Sequence, residues 1–438
     1  MIVRSGAFSG ALALALAVAV AVTSAPARAN LVAQRTASIA SPGRSREQIA
    51  REALATITRE DQRFGAFIAR NEDAVADARK RDAEFGEARS GVLDRRTIAI
   101  KANIDLATLP ASAGVRQTRR STTSAVSDAF VVRQILGAGG IIVGATNMDS
   151  WARGTRSVSE FGSTGNAFDP NRSPLGSSGG SAVAVATGMV DIALGTDTCG
   201  SIRYPASANG IFGLRPTKGA VSRRGVVPLS PTQDVVGPLA RNIDDLQLLF
   251  DVISQPDTLD PLTLGARQAP ARERSRRIGV FGGFGRVDRG ADSPVGILRV
   301  NGYVVVDIGS TGLVGASVID DEFERARAFW RRGESPWTLP KNAGYASRLT
   351  SQARLQNRIL EILDKQNLDA IVYPTTIASP GRRGAKQITG NCWLAANSGL
   401  PALAVPGPLA NGFPQIGIDL LGRAFDENTL FRVASDAS

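Results

Sequence analysis

Apolar positions along this chain recur at two spacings, and the switches between them outline its elements. From residue 46 to residue 85 they fall three or four apart among charged residues. Arg46-Glu47-Gln48-Ile49-Ala50 leads on to Ala53-Leu54 in this way, and the pattern returns between Asp73 and Glu84. That period predicts helices. Thr97-Ile98-Ala99-Ile100-Lys101 is a short, nearly unbroken apolar run and predicts a buried strand. Phe130 to Leu136 predicts a helix closed by Gly137-Ala138-Gly139-Gly140, with the strand Ile141-Ile142-Val143-Gly144 directly after it. Ser181 to Gly188 predicts a helix of small residues and Asp191 to Leu194 a short strand. Asn242 to Ile253 is amphipathic at helical spacing. Residues 255 to 295 are rich in Pro, Arg and Gly and predict loops around one strand, Ile278 to Phe281. A further strand is predicted at Tyr303 to Ile308, and a helix from Ala353 to Lys365 leads into the strand Ala370 to Tyr373. No internal repeat interrupts this order. Helices alternating with buried strands imply one α/β domain, three layers deep (α/β/α), around a mixed or parallel central sheet.

The first thirty residues follow another pattern. Arg4 precedes a small-residue apolar run from Ala11 to Val22, which ends in Thr23-Ser24-Ala25-Pro26-Ala27-Arg28-Ala29. A basic start, a short apolar centre and an Ala-x-Ala end predict a secretory signal peptide over residues 1–29, cleaved before Asn30. The same pattern would serve an uncleaved N-terminal anchor. The apolar run is shorter than the roughly 20 residues that span a bilayer, so no stable membrane anchor is expected. Without a twin arginine, the general export route is implied, with a periplasmic or extracellular destination. Residues 30–438 are then expected to form the single domain. Its helical N-terminal segment lies at about 45–90, its core at about 97–240 and its C-terminal part at about 277–438.

Composition narrows the chemistry. Of 438 residues, 43% are hydrophobic and 21% charged, a globular balance that excludes a disordered, collagen-like or multi-span chain. There are no histidines. That excludes Ser-His-Asp and Cys-His catalysis and every His-ligated metal. The 51 basic residues against 40 acidic ones give a net charge of +11, and only six of them are lysines. Arginine stays protonated in proteins whereas lysine can lose its proton, so each lysine is of interest. The arginine-rich stretches at 272–277 and 382–383 carry no interleaved aromatics, and solvated loops explain them better than a nucleic-acid surface. Cys199 and Cys392 are too few for a disulfide framework and leave the redox compartment open.

Candidate chemistry centres on Gly176-Ser177-Ser178-Gly179-Gly180-Ser181 and on Gly195-Thr196-Asp197-Thr198-Cys199-Gly200-Ser201-Ile202-Arg203-Tyr204-Pro205. Two glycine-serine loops flank one short helix and strand. Such loops can gather N–H groups into a concave nest, either around a phosphate or around the oxyanion formed when a serine attacks a carbonyl. Lys101 ends an apolar strand. Burial would lower its pKa and make it a base; the alternative is a strand-end lysine whose ammonium reaches water.

These residues resemble the amidase signature family, whose enzymes use a Ser–cis-Ser–Lys triad. The resemblance covers roughly Ile49 to Val433. It takes in Thr97 to Val115, Thr146-Asn147-Met148-Asp149, Ala152-x-Gly154, Gly176 to Pro205 and Gly213-Leu214-Arg215-Pro216-Thr217. It continues through Val235-Val236-Gly237-Pro238, Leu368-Asp369-Ala370, Tyr373-Pro374-Thr375 and Asn397-x-Gly399-Leu400-Pro401-Ala402. The resemblance implies the amidase signature fold and a hydrolase acting on linear carboxylic amides, without metal or other cofactor. Ser201 is implied as nucleophile and acyl carrier, Ser177 as the bridging serine after a cis peptide bond to Gly176, and Lys101 as the base. The backbone N–H groups of Thr198, Cys199, Gly200 and Ser201 are implied as the oxyanion hole. Ser178 is implied to hydrogen-bond the lysine, with Asp197 and Arg203 as a structural pair. The expected partner is a small-molecule amide, with no nucleic acid; a homodimer stays open. Rival functions are a non-catalytic amide- or peptide-binding protein on the same fold and an amidotransferase-type subunit.

The chain departs from the family's pattern in three places, one of them its end soon after Glu427, which is expected to clip the last helix. Leu175-Gly176 stands where two glycines are usual, so Leu175 either narrows the approach to Ser177 or packs. The region at about 255–345 is shorter than in typical members. Cys199 reads as a small neutral loop residue, since no histidine is present to activate a thiolate nucleophile. Cys392-Trp393 reads as packing.

Overall fold

The computed structural model describes residues 43–116, 127–265, 269, 272–310, 312–332 and 343–438. The leader predicted over residues 1–29 lies outside them. Helix α1 (Arg46–Phe64) starts at a capping box between Ser45 and Gln48 and stops at Gly65, whose φ of 64° suits the absence of a Cβ. Strand β1 (Phe67–Arg70) and α2 (Ala74–Phe85) follow, then β2 (Thr97–Lys101), α3 (Phe130–Gly137) and β3 (Ile141–Thr146). A small hairpin, β4 (Val158–Ser159) with β5 (Gly162–Ser163), precedes α4 (Gly179–Ala186), β6 (Ile192–Asp197), α5 (Arg203–Ala208), β7 (Phe212–Arg215) and β8 (Val235–Ala240). Next come α6 (Ile243–Ile253), β9 (Arg277–Val280), α7 (Pro294–Val300), β10 (Val304–Asp307), α8 (Ile319–Arg332), α9 (Ala343–Lys365) and β11 (Ala370–Pro374). The chain continues through α10 (Trp393–Ser398), β12 (Ala402–Val405), the hairpin β13 (Leu409–Ala410) with β14 (Phe413–Pro414), β15 (Ile418–Leu421) and α11 (Glu427–Asp436).

Eleven strands form one sheet in the order β1-β3-β2-β6-β8-β7-β12-β15-β11-β9-β10. Two parallel groups, β3-β2-β6 and β11-β9-β10, are joined through antiparallel neighbours, so the sheet is mixed. Alternation along the strands divides the core between two faces. Ile98 and Ile100 of β2 pack with residues of α3, α6, α7 and α11, whereas Ala99 packs with α1, α2 and α4 on the opposite face. Farther along the sheet, α9 and α10 cover the face of Ile371 and Tyr373. This is the three-layer α/β/α arrangement.

The run from 46 to 85 is not all helix. Four residues between α1 and α2 form β1 and pair antiparallel with β3. An edge strand that short, half-buried, leaves little alternation to read. Strand β6 runs past the Leu194 expected from sequence to Asp197, and this extension carries the chain into the second glycine-serine loop. Among the described residues no helix is long and apolar enough to cross a membrane.

Candidate active site

Lys101 is the last residue of β2, a strand buried at all five positions. The two-residue repeat puts its side chain on the same face as Ala99, the face that α4 covers, and it is fully buried there. The Lys101 ammonium donates to Ser177 Oγ at 2.8 Å, to Thr196 Oγ1 at 2.8 Å and to the Thr196 carbonyl at 3.3 Å. Asn103 donates to the same Thr196 hydroxyl at 3.1 Å. Burial pushes the Lys101 pKa down to about 7, against the opposing pull of Asp149, Asp197 and Asp234. The alternative of a strand-end lysine reaching water does not hold.

Ser177 follows a cis peptide bond from Gly176 and leads into α4. A Cβ on Gly176 would lie 2.1 Å from Asp149 Oδ2, so this position has room only for glycine. The Asp149 N–H donates to the Ser177 carbonyl at 3.3 Å. Its carboxylate accepts the N–H groups of Arg156, Ser157 and Val158, and burial raises its pKa. Asp149 thus fixes the Ser177 segment from below. Leu175 packs against Tyr204, Ala208 and Cys392.

Ser178 does not bond the lysine. Its hydroxyl donates to the Thr196 carbonyl at 3.2 Å and accepts the Thr196 N–H at 3.3 Å, while its own N–H donates to the Ser201 carbonyl at 3.0 Å. At the start of a helix the side chain is turned toward the neighbouring strand end, and Thr196 takes the place beside Lys101 instead. Ser178 therefore ties the two glycine-serine loops together. Ser201 keeps 6% of its surface exposed, in contrast to Lys101 and Ser177 at 0%.

The four N–H groups expected around an oxyanion reduce to three. The Gly200 N–H donates to Asp197 Oδ1 at 2.8 Å and so faces inward, leaving Thr198, Cys199 and Ser201 as the candidates. Gly200 has a φ of 84°, and a Cβ there would lie 2.4 Å from the Tyr204 ring. Asp197 and Arg203 do pair, at 3.1 Å, and the pair is part of a larger buried network. Arg215 also reaches Asp197 at 3.1 Å, and Arg203 bonds Asp419, which accepts the Thr375 hydroxyl at 2.9 Å. Burial alone would raise the Asp197 pKa, but Arg203 and Arg215 hold it well below the usual carboxylate range. The Thr198 hydroxyl donates to Asp234, whose pKa burial pushes up to about 6.

The two cysteines form a disulfide, Cys199–Cys392, with the Cα atoms 4.9 Å apart. Cys199 is thus neither an isolated loop residue nor a free thiol. The bond joins residues 193 apart in sequence, a separation at which no local spacing could reveal the pairing. Cys392 is buried, but Trp393, expected to pack, is 43% exposed. Asn391, beside Cys392, lines a cavity of about 540 Å³ together with Phe284, Ile377 and Ile416. Among the described residues no cluster of His, Cys, Asp or Glu could hold a metal ion.

Thr196, Asn103, Asp149, Arg215 and Asp234 complete the site, and the sequence motifs assign none of them a role. Arg215 carries a usable signal: like Lys101, it is a cation at the end of an apolar strand, Phe212-Gly213-Leu214-Arg215.

A family model described as Amidase matches residues 48–306. The A-type subunit of glutamyl-tRNA(Gln) amidotransferase from Methanothermobacter thermautotrophicus is 40% identical over 266 residues, which take in 58% of each chain. Its counterpart from Symbiobacterium thermophilum is 32% identical over 88% of this chain and 92% of its own. Among solved structures, native peptide amidase from Stenotrophomonas maltophilia superposes with a TM-score of 0.72 at 26% identity, covering 94% of this chain and 95% of that one. With the buried lysine, the serine after a cis bond and the second serine loop on one mixed sheet, the chain belongs to the amidase signature family.

Proposed function

We propose that this chain is a serine amidohydrolase that cleaves a linear carboxylic amide through an acyl-enzyme on Ser201. The observation that carries this reading is the 2.8 Å hydrogen bond between Lys101 and Ser177, both fully buried. With its pKa near 7, a large fraction of Lys101 is neutral at neutral pH and able to accept a proton. Lys101 takes the proton of Ser177 as Ser177 takes that of Ser201, and Ser201 attacks the amide carbonyl. The N–H groups of Thr198, Cys199 and Ser201 receive the negative charge that develops on the carbonyl oxygen. The relay then runs in reverse and protonates the leaving nitrogen. Water hydrolyses the acyl-enzyme by the same route.

The reading extends to export, to the periplasm or beyond the cell. The leader pattern in the first 29 residues supports it, as does the disulfide, a bond that persists chiefly in oxidising compartments. A second reading, a chain that passes its product to partners in an amidotransferase, is favoured by the likeness to the two tRNA-dependent relatives.

Intact-mass analysis after exposure to a fluorophosphonate tests the first step. One adduct on the wild type and none on Ser201→Ala is expected. No adduct on the folded wild type would overturn the catalytic reading in favour of a binding protein. Ammonia release from simple amides by the purified chain alone then separates the hydrolase from the amidotransferase component.

A further inference from the structure

The 198–201 loop is tied at each residue to something outside it. The Thr198 hydroxyl is held by Asp234, the Gly200 N–H by Asp197 and the Ser201 carbonyl by the Ser178 N–H. These three ties are hydrogen bonds. The fourth, from Cys199 to Cys392, is covalent and reaches far along the sequence. Its anchor is itself fixed. Cys392 is buried at the N-cap of α10, and Asn391 before it donates to the Pro374 carbonyl at 2.7 Å, at the end of β11. Tyr204 packs in the same cluster with Cys199 and Cys392, and its ring lies directly beneath Gly200.

Oxyanion donors act by being held in place before the charge develops. On the amidohydrolase reading above, we propose that Cys392 is a positioning residue for the oxyanion loop, and that opening the Cys199–Cys392 bond slows acylation at Ser201 while the fold persists. The three hydrogen-bonded ties remain after the bond opens, which is why the loop loosens and does not unravel. A small dithiol opens it in two exchanges. One thiolate attacks a cysteine sulfur to give a mixed disulfide, and the second thiol of the reagent displaces the protein sulfur. The chain gains two thiols, and the reagent is oxidised by two electrons to its own cyclic disulfide.

The test compares oxidised wild type, dithiothreitol-reduced wild type and oxidised Cys392→Ser by the kinetics of fluorophosphonate labelling, with far-UV circular dichroism recorded on each. The expected result is a labelling rate constant about ten- to a hundredfold lower in the reduced and substituted proteins, with the probe's binding constant unchanged. Reoxidation should restore the wild type and leave Cys392→Ser slow. Equal rate constants in oxidised and reduced wild type would overturn the proposal while the amidohydrolase reading stands. Loss of the far-UV signal on reduction would also overturn it, since the bond would then hold the fold and not the loop. No labelling of oxidised wild type would overturn the amidohydrolase reading instead.

Discussion

Lys101 Nζ lies 2.8 Å from Ser177 Oγ, and neither side chain touches solvent. A cation placed this way is costly unless it gives up its proton, and the fall of its pKa to about 7 expresses that cost. Lys101→Met removes the base and keeps an unbranched apolar side chain in its place. Acylation by an amide should fall about a thousandfold or more, with the far-UV spectrum unchanged. Stopped-flow or burst measurements of acylation check this, and wild-type rates at alkaline pH would refute the assignment of Lys101 as base.

The same group sets a pH profile. Acylation should rise about tenfold per pH unit below pH 7 and level off above it, as Lys101 becomes neutral. The stability profile has a defined sign. The folded pKa of about 7 lies below the ordinary value of 10.5, so between them the unfolded chain holds the extra proton. The destabilisation from burying the charge is complete below pH 7 and is relieved as pH rises toward 10.5. Urea titrations across this window should show wild type gaining stability relative to Lys101→Met.

Asp197 is the counter-ion for two buried guanidinium groups. Asp197→Ala leaves Arg203 with Asp419 alone and removes the carboxylate that Arg215 pairs with. Removing one partner of a buried ion pair typically costs about 3–5 kcal/mol, far more than the pair itself contributes. Denaturant unfolding should register a loss of that size, and labelling of Ser201 should fall with it because the Gly200 and Ile202 N–H groups lose their acceptor.

Gly200→Ala forces a methyl group against the Tyr204 ring in a backbone conformation that L-residues rarely adopt. A strained residue of this kind costs about 1–3 kcal/mol. The loop should relieve the strain by moving, so labelling should slow at least as much as thermal stability drops. A variant with wild-type labelling kinetics would show that the loop tolerates displacement.

Much of this site is legible in the sequence because it breaks local rules. Lys101 ends an apolar run in a chain nearly devoid of lysine, and Ser177 and Ser201 stand in two glycine-serine loops. The central sheet is legible from buried strands alternating with helices. What stays hidden depends on direction or on distance along the chain. The family resemblance does not reveal which N–H groups point inward, so it places Gly200 among the oxyanion donors although Gly200 donates to Asp197. Nor does it reveal which way a helix-start hydroxyl turns, so it assigns Ser178 to the lysine and not to Thr196. Asp234 is one acid among 40 acidic residues, and only the folded chain brings it to Thr198. The pairing of Cys199 with Cys392 is hidden by a separation of 193 residues.

Arg203 stands two residues after Ser201, yet one of its carboxylate partners, Asp419, sits in β15 near the end of the chain. The part of the chain that carries Arg203 and the part that carries Asp419 therefore depend on each other for a buried counter-ion. A fragment ending after β10 would contain Lys101, Ser177 and Ser201 and still carry an interior positive charge short of one of its counter-ions. Recombination between relatives would meet the same obstacle, because a new C-terminal part must supply an acid at the register of Asp419 and a partner for Cys199. The stretch from Cys392 to Asp419 is in this sense tied to the loop that carries Ser201.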